Sequence, residues 1–392
     1  MIINDKRALA FTTTIEEIRP LEGYDRVEYA RVLGWWCIIA KDYNLKVGDK
    51  VVYFEIDSRV PKTNPAFDFL KKRDYKIKTL KMCKVVSQGL ILPLDVLGIE
   101  ADIDVNVDVT ERLGVTYIEA EDNDRKADDE TVKLNNIKSR YKKFMNNKLV
   151  KRLMRFAWFR KLVLKLLGRK KVSAKGFPSQ FVAKTDEERV QNMPWILTNK
   201  EPFVATEKID GTSTTFLLLR KPLGRFEFFV CSRNVRMLKP DQETWNGNDN
   251  IYWEMAVKYD VEKQLKKYLL AHPDLNWACI QGESFGEGWQ KNPLGLEGHD
   301  FKAFNFITGP GGRIGSLEGC KILSEFDTPI PWVPVLDEAF ILPDTVEELL
   351  DFATAKSVVN PNVLREGVVF RSQDGQTSFK AVSPEYLMKH DI

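Results

Sequence analysis

Between residues 133 and 175 the chain carries sixteen Lys or Arg and not one Asp or Glu. A segment with a formal charge of +16 cannot form a core of its own, because cations at that density repel and a buried ammonium needs a partner. It divides the chain into a part before it and a part after it, each of which must bury its own apolar residues. Residues 99–130, just upstream, are rich in Asp and Glu and include the solvated, loop-like stretch IEAEDNDRKADDE, so a whole-chain net charge of +3 conceals a steep internal swing. Within the basic run, LVKRLMRFAWFRKLVLKLL sets Leu149, Leu153 and Ala157 at helical spacing. Such a basic amphipathic helix fits three roles: tracking a phosphate backbone, lying on an anionic membrane, or bridging domains as a solvated linker. The absence of any counter-charge favours the phosphate backbone.

The part before this connection, residues 1–98, reads as a small β domain. Short apolar runs (ALAFTTTI, RVEYARVLG, WWCIIA, KVVYFEI, GLILPL) are separated by turn-forming LEGYD, LKVGDK and RVPKTNP. Five or six short strands in this length suit a small barrel. KIKTLKMCKVVSQGLIL resembles the strand pair and SQG turn of OB-fold tRNA-binding modules. That resemblance implies a surface for single-stranded nucleic acid, built from basic and aromatic side chains. Trp35, Trp36 and Tyr53 are the aromatic candidates, and each is equally well read as a core residue.

Residues 99–176 form the acidic-then-basic connection, and 177–392 read as a mixed domain. Strand-like FVATEKI, TTFLLLR, RFEFFVCS, WACIQGE, FKAFNFI, GVVFRS and TSFKAVS are interspersed with helical NIYWEMAVKYDVEKQLKKYLLAH and TVEELLDFATAK. The class expected is α+β. Five cysteines without CxxC spacing and only three histidines argue against a zinc site or a disulfide framework. MIINDKRALAF lacks the layout of a secretory signal, and no run of 18 apolar residues is present. The expectation is a cytoplasmic protein that does not enter a membrane.

Chemistry concentrates around Lys208-Ile209-Asp210-Gly211, a motif that alone arises by chance in roughly one chain in ten. Its weight comes from the ordered segments downstream: CSRN at 231–234, QGESFGEGWQKN at 281–292, KAFNF at 302–306, REGVVFR at 365–371 and SFKAVS at 378–383. These segments resemble the lysine nucleotidyltransferase superfamily of ATP-dependent ligases and capping enzymes. With KTDEERVQN at 184–192, the chain as a whole resembles RNA ligases of the Deinococcus and Naegleria type. The resemblance implies an N-terminal OB-like β-barrel followed by an α+β nucleotidyltransferase domain (an ATP-grasp-like ligase adenylation domain). It implies Lys208 as the nucleophile that takes AMP from ATP, with Arg233 and Lys380 beside it. Glu283 would contact the ribose, Phe304 would stack on adenine, and Gly211 would allow close backbone approach and an unusual dihedral. Asp210 and Glu366, as hard oxygen donors, would serve Mg²⁺ or Mn²⁺. Arg189 would orient pyrophosphate or be a helix-surface charge. RNA is the implied partner, either a nicked duplex or strand ends, and the chain is expected to act as a monomer in RNA repair.

One departure stands out: relatives have K-x-K in the last motif, whereas this chain has Ser378-Phe379-Lys380, leaving Lys389 as the stand-in. Taken singly, the default readings differ: Phe304 would be core, and Glu366, Lys380 and Arg233 surface charges. Their shared order outweighs those defaults. A lysine attacks only when neutral, so nearby cations (Arg233, Lys380, a metal) or a dry pocket are expected to lower the pKa of Lys208. A DNA ligase or a GTP-using capping enzyme is disfavoured, because those families place the OB domain after the last motif. A non-catalytic RNA-binding protein is disfavoured by the intact motifs.

Overall fold

The computed structural model describes residues 1–3, 6–118, 150, 153, 159, 176–239 and 250–390. Apart from those three isolated positions, the basic segment and its expected amphipathic helix lie outside the described residues.

The N-terminal unit contains β1 (Ala10–Thr14), β2 (Glu17–Pro20), β3 (Val27–Val32) and β4 (Trp35–Ala40). They are followed by β5 (Lys50–Phe54), β6 (Thr79–Met82), β7 (Val85–Gln88) and β8 (Leu90–Pro93). The ladders run β8-β5-β1, β2-β3-β4 and β6-β7, and among the described residues they do not close into one continuous barrel. Strand β5 shows why the unit is stable. Its Val51 and Tyr53 enter one cluster with Phe11, Trp35 and Cys37, while Val52 and Phe54 enter another with Phe67 and Leu92. Successive side chains point to opposite faces, so a continuous apolar strand serves two cores. The second core also takes Ile99, Val109, Leu113 and Val115. The boundary expected at 98 therefore falls later: apolar anchors spaced through the acidic stretch carry the first unit on to Thr116–Tyr117, which pair with Ser58–Arg59.

The second unit has β9 (Glu188–Arg189), β10 (Phe203–Lys208), β11 (Thr212–Arg220) and β12 (Phe226–Ser232). Helices α1 (Ile251–Lys258) and α2 (Val261–Ala271) precede β13 (Trp277–Gly286), β14 (His299–Gly309) and β15 (Gly312–Arg313). Then come α3 (Ser316–Ser324), β16 (Val335–Phe340), α4 (Val346–Ala353), β17 (Gly367–Ser372), β18 (Ser378–Val382) and α5 (Pro384–His390). Two five-stranded sheets result, β9-β18-β17-β10-β16 and β12-β11-β13-β14-β15. Helices α1 and α2 cover the second with Ile251, Met255, Leu265 and Leu269, and α4 covers the first with Val346, Leu349 and Ala353. A reciprocal Thr345–Glu348 capping box starts α4. This is the expected α+β architecture.

The two units are bolted together through residues 188–192. Buried Asn192 accepts from the Trp35 indole at 2.5 Å and donates to Glu55 and Glu188, each at 2.6 Å. Trp36 donates to Glu347 at 2.6 Å, and Ile56 packs with Val382 and Leu387. Gly34 donates its amide to the Gln191 carbonyl, and a Cβ there would lie 2.7 Å from the Gln191 Cα. Trp35 and Tyr53 are fully buried and Trp36 nearly so. The core reading of these aromatics holds, and they offer no open face for bases. Asn192→Leu strands the Trp35 indole and the Glu55 carboxylate, so we expect it to destabilise the protein by about 2–4 kcal/mol. A urea-unfolding midpoint equal to that of the parent protein would contradict this view of the junction.

Candidate active site

Lys208 is the last residue of β10, where the chain leaves one sheet and crosses to the other through Ile209-Asp210-Gly211 before β11 begins. Strand pairing brings its neighbours. Lys208 lies opposite Gly367 on β17, so the preceding Glu366 meets it directly, and Nζ donates to Oε2 at 2.6 Å. On the other sheet, Ser213 pairs with Glu283 of β13, which sets that carboxylate beside the crossing. Gly211 is required by crowding: a Cβ there would sit 2.5 Å from the Ser284 carbonyl oxygen. Its backbone is not in the left-handed region, so the unusual dihedral expected for it is absent.

Phe304 owes its placement to a β-bulge. On β13 and β14, Gln281 pairs with Asn305 but Gly282 pairs with Ala303, leaving Phe304 as the extra residue. Such an insertion re-aims a side chain, and Phe304 lines the cavity. Arg371, buried on β17, lies 5.6 Å from the Phe304 ring centroid and donates to Glu187 at 3.1 Å. A cavity of about 840 Å³ opens between the sheets and against the N-terminal unit. All nine residues singled out in the sequence line it: Arg189, Lys208, Asp210, Gly211, Arg233, Glu283, Phe304, Glu366 and Lys380. Lys389 does not; it is exposed on α5, so the stand-in role expected for it has no support.

The electrostatics reverse one expectation. Burial by itself would lower the Lys208 pKa, but Glu366, Glu283 and Asp210 outweigh it and hold the ammonium above the usual lysine range. The carboxylates respond in kind. Burial, with Glu366 and Asp210 adding, pushes Glu283 up to about 8 against the pull of Lys208, and burial raises Glu366 against the same cation. The expected cations stand further along the wall. Asp186 bridges Lys380 at 3.2 Å and Arg233 at 2.9 Å, so neither is aimed solely at Lys208. Burial, with Arg189, Lys208 and Arg7 adding, lowers the Lys380 pKa despite Asp186. Arg189 is no helix-surface charge. It is buried on β9 in register with Lys380, donates to Asp57 at 3.2 Å, and keeps Nε and Nη1 without a partner. Two partnerless guanidinium nitrogens in a residue that lines the cavity suit an anionic ligand.

Among the described residues, no three His, Cys, Asp or Glu side chains converge closely enough to enclose a metal ion. The donor set nonetheless fits a divalent cation of the Mg²⁺ type. Glu366, Glu283 and Asp210 are hard oxygen donors around one lysine, with more negative charge than it can compensate. Mg²⁺ keeps several waters and takes only one or two carboxylates along with substrate phosphates. Two features escape a reading of the sequence alone. Tyr386, from α5, donates to Asp210 at 2.6 Å and stacks on His390. Arg371 is signalled only by a charge in an otherwise apolar strand, in phase with Val369. If the carboxylates load Lys208 with its proton, Glu366→Gln should raise its reactivity toward an amine-acylating reagent several-fold. Peptide mass spectrometry reads this directly, and unchanged reactivity would contradict the assignment.

Comparison with known proteins agrees with this geometry. A family model described as an OB-fold domain matches residues 9–94, and one described as RNA ligase matches residues 201–382. No curated protein matches the chain by sequence. Among solved structures, the Naegleria gruberi RNA ligase with pyrophosphate is 30% identical, with a TM-score of 0.74, over 98% of this chain and 99% of that one. A variant of the same enzyme with AMP and Mn gives 30% identity and a TM-score of 0.73 over 98% and 99% of the two chains. Another variant with ATP and Mn gives 29% and 0.73 over the same shares. With an OB-fold domain in front, a lysine-centred cavity behind it and this likeness along nearly its whole length, the chain belongs to the RNA ligase family.

Proposed function

We propose that the chain is an ATP-dependent RNA ligase in which Lys208 carries the AMP. The observation that supports this most is Lys208 at a sheet crossing, with Phe304, Glu283, Arg189 and Lys380 spread along one cavity. Phe304 stacks on the adenine, and Glu283 meets a ribose hydroxyl. Arg189, with two partnerless guanidinium nitrogens, and Lys380 bind the phosphates. Asp210 and Glu366 would hold Mg²⁺ or Mn²⁺, which would supply positive charge to offset both the carboxylates and the triphosphate. Lys208 must release its proton to solvent before it can attack. The neutral amine then attacks the α-phosphorus, forming an N–P bond as the bond to pyrophosphate breaks. Arg189 and Lys380 stabilise the charge that moves onto the leaving group.

Two transfers complete the reaction. An RNA 5′-phosphate oxygen attacks the lysyl-AMP phosphorus, breaking the N–P bond and forming an adenylated RNA end. A 3′-hydroxyl then attacks the 5′-phosphate, loses its proton and releases AMP. A reaction that needs both ends acts on strands already cut, so repair of nicked or broken RNA is the role we assign. The described cysteines are all free, which suits a reducing, cytoplasmic setting. Among the described residues no helix is long and apolar enough to cross a membrane.

Incubation with α-labelled ATP and Mg²⁺ or Mn²⁺ should leave label on the protein, and Lys208→Ala should abolish it. Label that persists in that variant would refute the nucleophile assignment. Nicks with an RNA 3′-hydroxyl should be sealed in preference to all-DNA nicks. For Glu283, Gln preserves hydrogen bonding that Ala removes. Single-turnover labelling should therefore fall by about tenfold or less in Glu283→Gln and by a further tenfold or more in Glu283→Ala. Equal rates for the two variants would contradict a polar contact there.

A further inference from the structure

The aromatic side chains with which an OB domain would be expected to hold RNA are buried in its own core and at the domain junction, yet another surface of the same domain is intensely basic. Residues 62–84 hold eight Lys or Arg against two Asp. Both acids are accounted for: Asp74 is paired with Lys62 and Arg59, and Asp68 lies in the first turn of a 3₁₀ helix, Pro65–Arg73. The remaining cations follow the chain past the mouth of the Lys208 cavity. Lys71, Lys72 and Arg73 are exposed in the last turn of that helix, with Phe69 beside them 57% exposed. Lys76 and Lys78, two residues apart on an extended stretch with buried Ile77 between them, line the cavity itself. Lys81 and Lys84 are exposed at the tip of the β6–β7 hairpin, whose turn has Cys83 and Lys84 in the left-handed region. None of Lys71, Lys72, Arg73, Lys81 and Lys84 has a carboxylate partner among the described residues.

We propose that this stripe is the seat of the RNA backbone, so that a strand crossing it brings its phosphate end past Lys76 and Lys78 to Lys208. The reading rests on the ligase function above. Three arguments carry it. Lys71, Lys72, Arg73, Lys81 and Lys84, exposed and without a carboxylate partner among the described residues, provide the counterion-releasing contact that a polyanion needs. Alternate residues of an extended chain lie about 7 Å apart on one face, close to the spacing of successive phosphates. Finally, Lys76 and Lys78, which lie between the two exposed groups in the chain, line the cavity that holds Lys208, so the segment links the exposed cations to the nucleophile. Helix α5 supports the geometry from behind: Leu387 packs on Ile56 of the OB-fold domain, while Tyr386 reaches Asp210.

The test uses the full chain with a 5′-phosphorylated single-stranded RNA, and reads the dissociation constant against salt. Replacing Lys71, Lys72, Arg73, Lys81 and Lys84 by Gln should weaken binding at least tenfold at low salt. It should also flatten the log–log salt slope by up to about 3.5, at about 0.7 per lost contact. Splitting the change into residues 71–73 and residues 81 and 84 should divide the loss. Those partial variants carry the test if the fivefold one does not fold. Replacing exposed Lys263, Lys266 and Lys267 on α2 in the same way should leave the slope as it was. An unaltered slope in the stripe variants, or an equal loss in the α2 variant, would overturn the proposal. Labelling of the parent protein by ATP separates the two ideas: if it labels and the stripe variants bind RNA normally, the surface is wrong while the ligase reading stands.

Discussion

The ion pair between Lys208 and Glu366 is the contact around which the catalytic half is arranged. Lysine at a strand end would normally point its amine into water. Here Glu366 faces it across the β10–β17 pair, Glu283 approaches from the other sheet, and Asp210 follows two residues on. Both sheets must be in place before the amine finds its company, so folding and reactivity depend on the same crossing. The crowding that leaves only glycine at 211 is the steric signature of that crossing. On the function proposed above, the carboxylates hold the amine charged until cationic charge arrives with the nucleotide. Such an arrangement protects the lysine from casual acylation and ties its activation to the loaded state.

The N-terminal domain is part of this device. Asn192 and Arg189 sit one turn apart at the edge of the catalytic sheet. The first fixes Trp35 and Glu55, and the second is steadied by Asp57 while two of its nitrogens stay buried without a partner. A substitution at the junction is therefore expected to disturb Arg189, the group proposed to bind phosphate, as well as the contact between the domains. The same logic makes α5 consequential, since one face touches the OB-fold domain and the other holds Asp210. The two units share one cavity.

Much of this is legible in the sequence because it is local. The α+β class, the strand-borne Lys208 and the ordered motifs depend on period-two patterning and short spacings, which survive without tertiary information. What the sequence hides are consequences of packing. Phe304 reaches the cavity through a bulge that only the pairing of β13 with β14 defines. The raised pKa of Lys208 depends on three carboxylates from separate segments, one of them 158 residues away, and a motif-by-motif reading counts the cations and misses the acids. Trp35 and Trp36 pass for stacking platforms because a strand pattern cannot say which face another domain covers. Residues 99–117 pass for a linker because their acids dominate the composition, while four well-spaced apolar side chains decide where they pack.

The central claim is that the acidic surround holds the Lys208 proton and that cationic loading releases it. Isotope-edited NMR of the Lys208 side chain measures that proton directly, in the free protein and with Mg²⁺ and a non-hydrolysable ATP analogue. The account predicts a pKa above the ordinary lysine value of about 10.4 in the free protein, falling by about two units or more on loading. A free-protein pKa at or below that ordinary value, or one that does not move on loading, would contradict it.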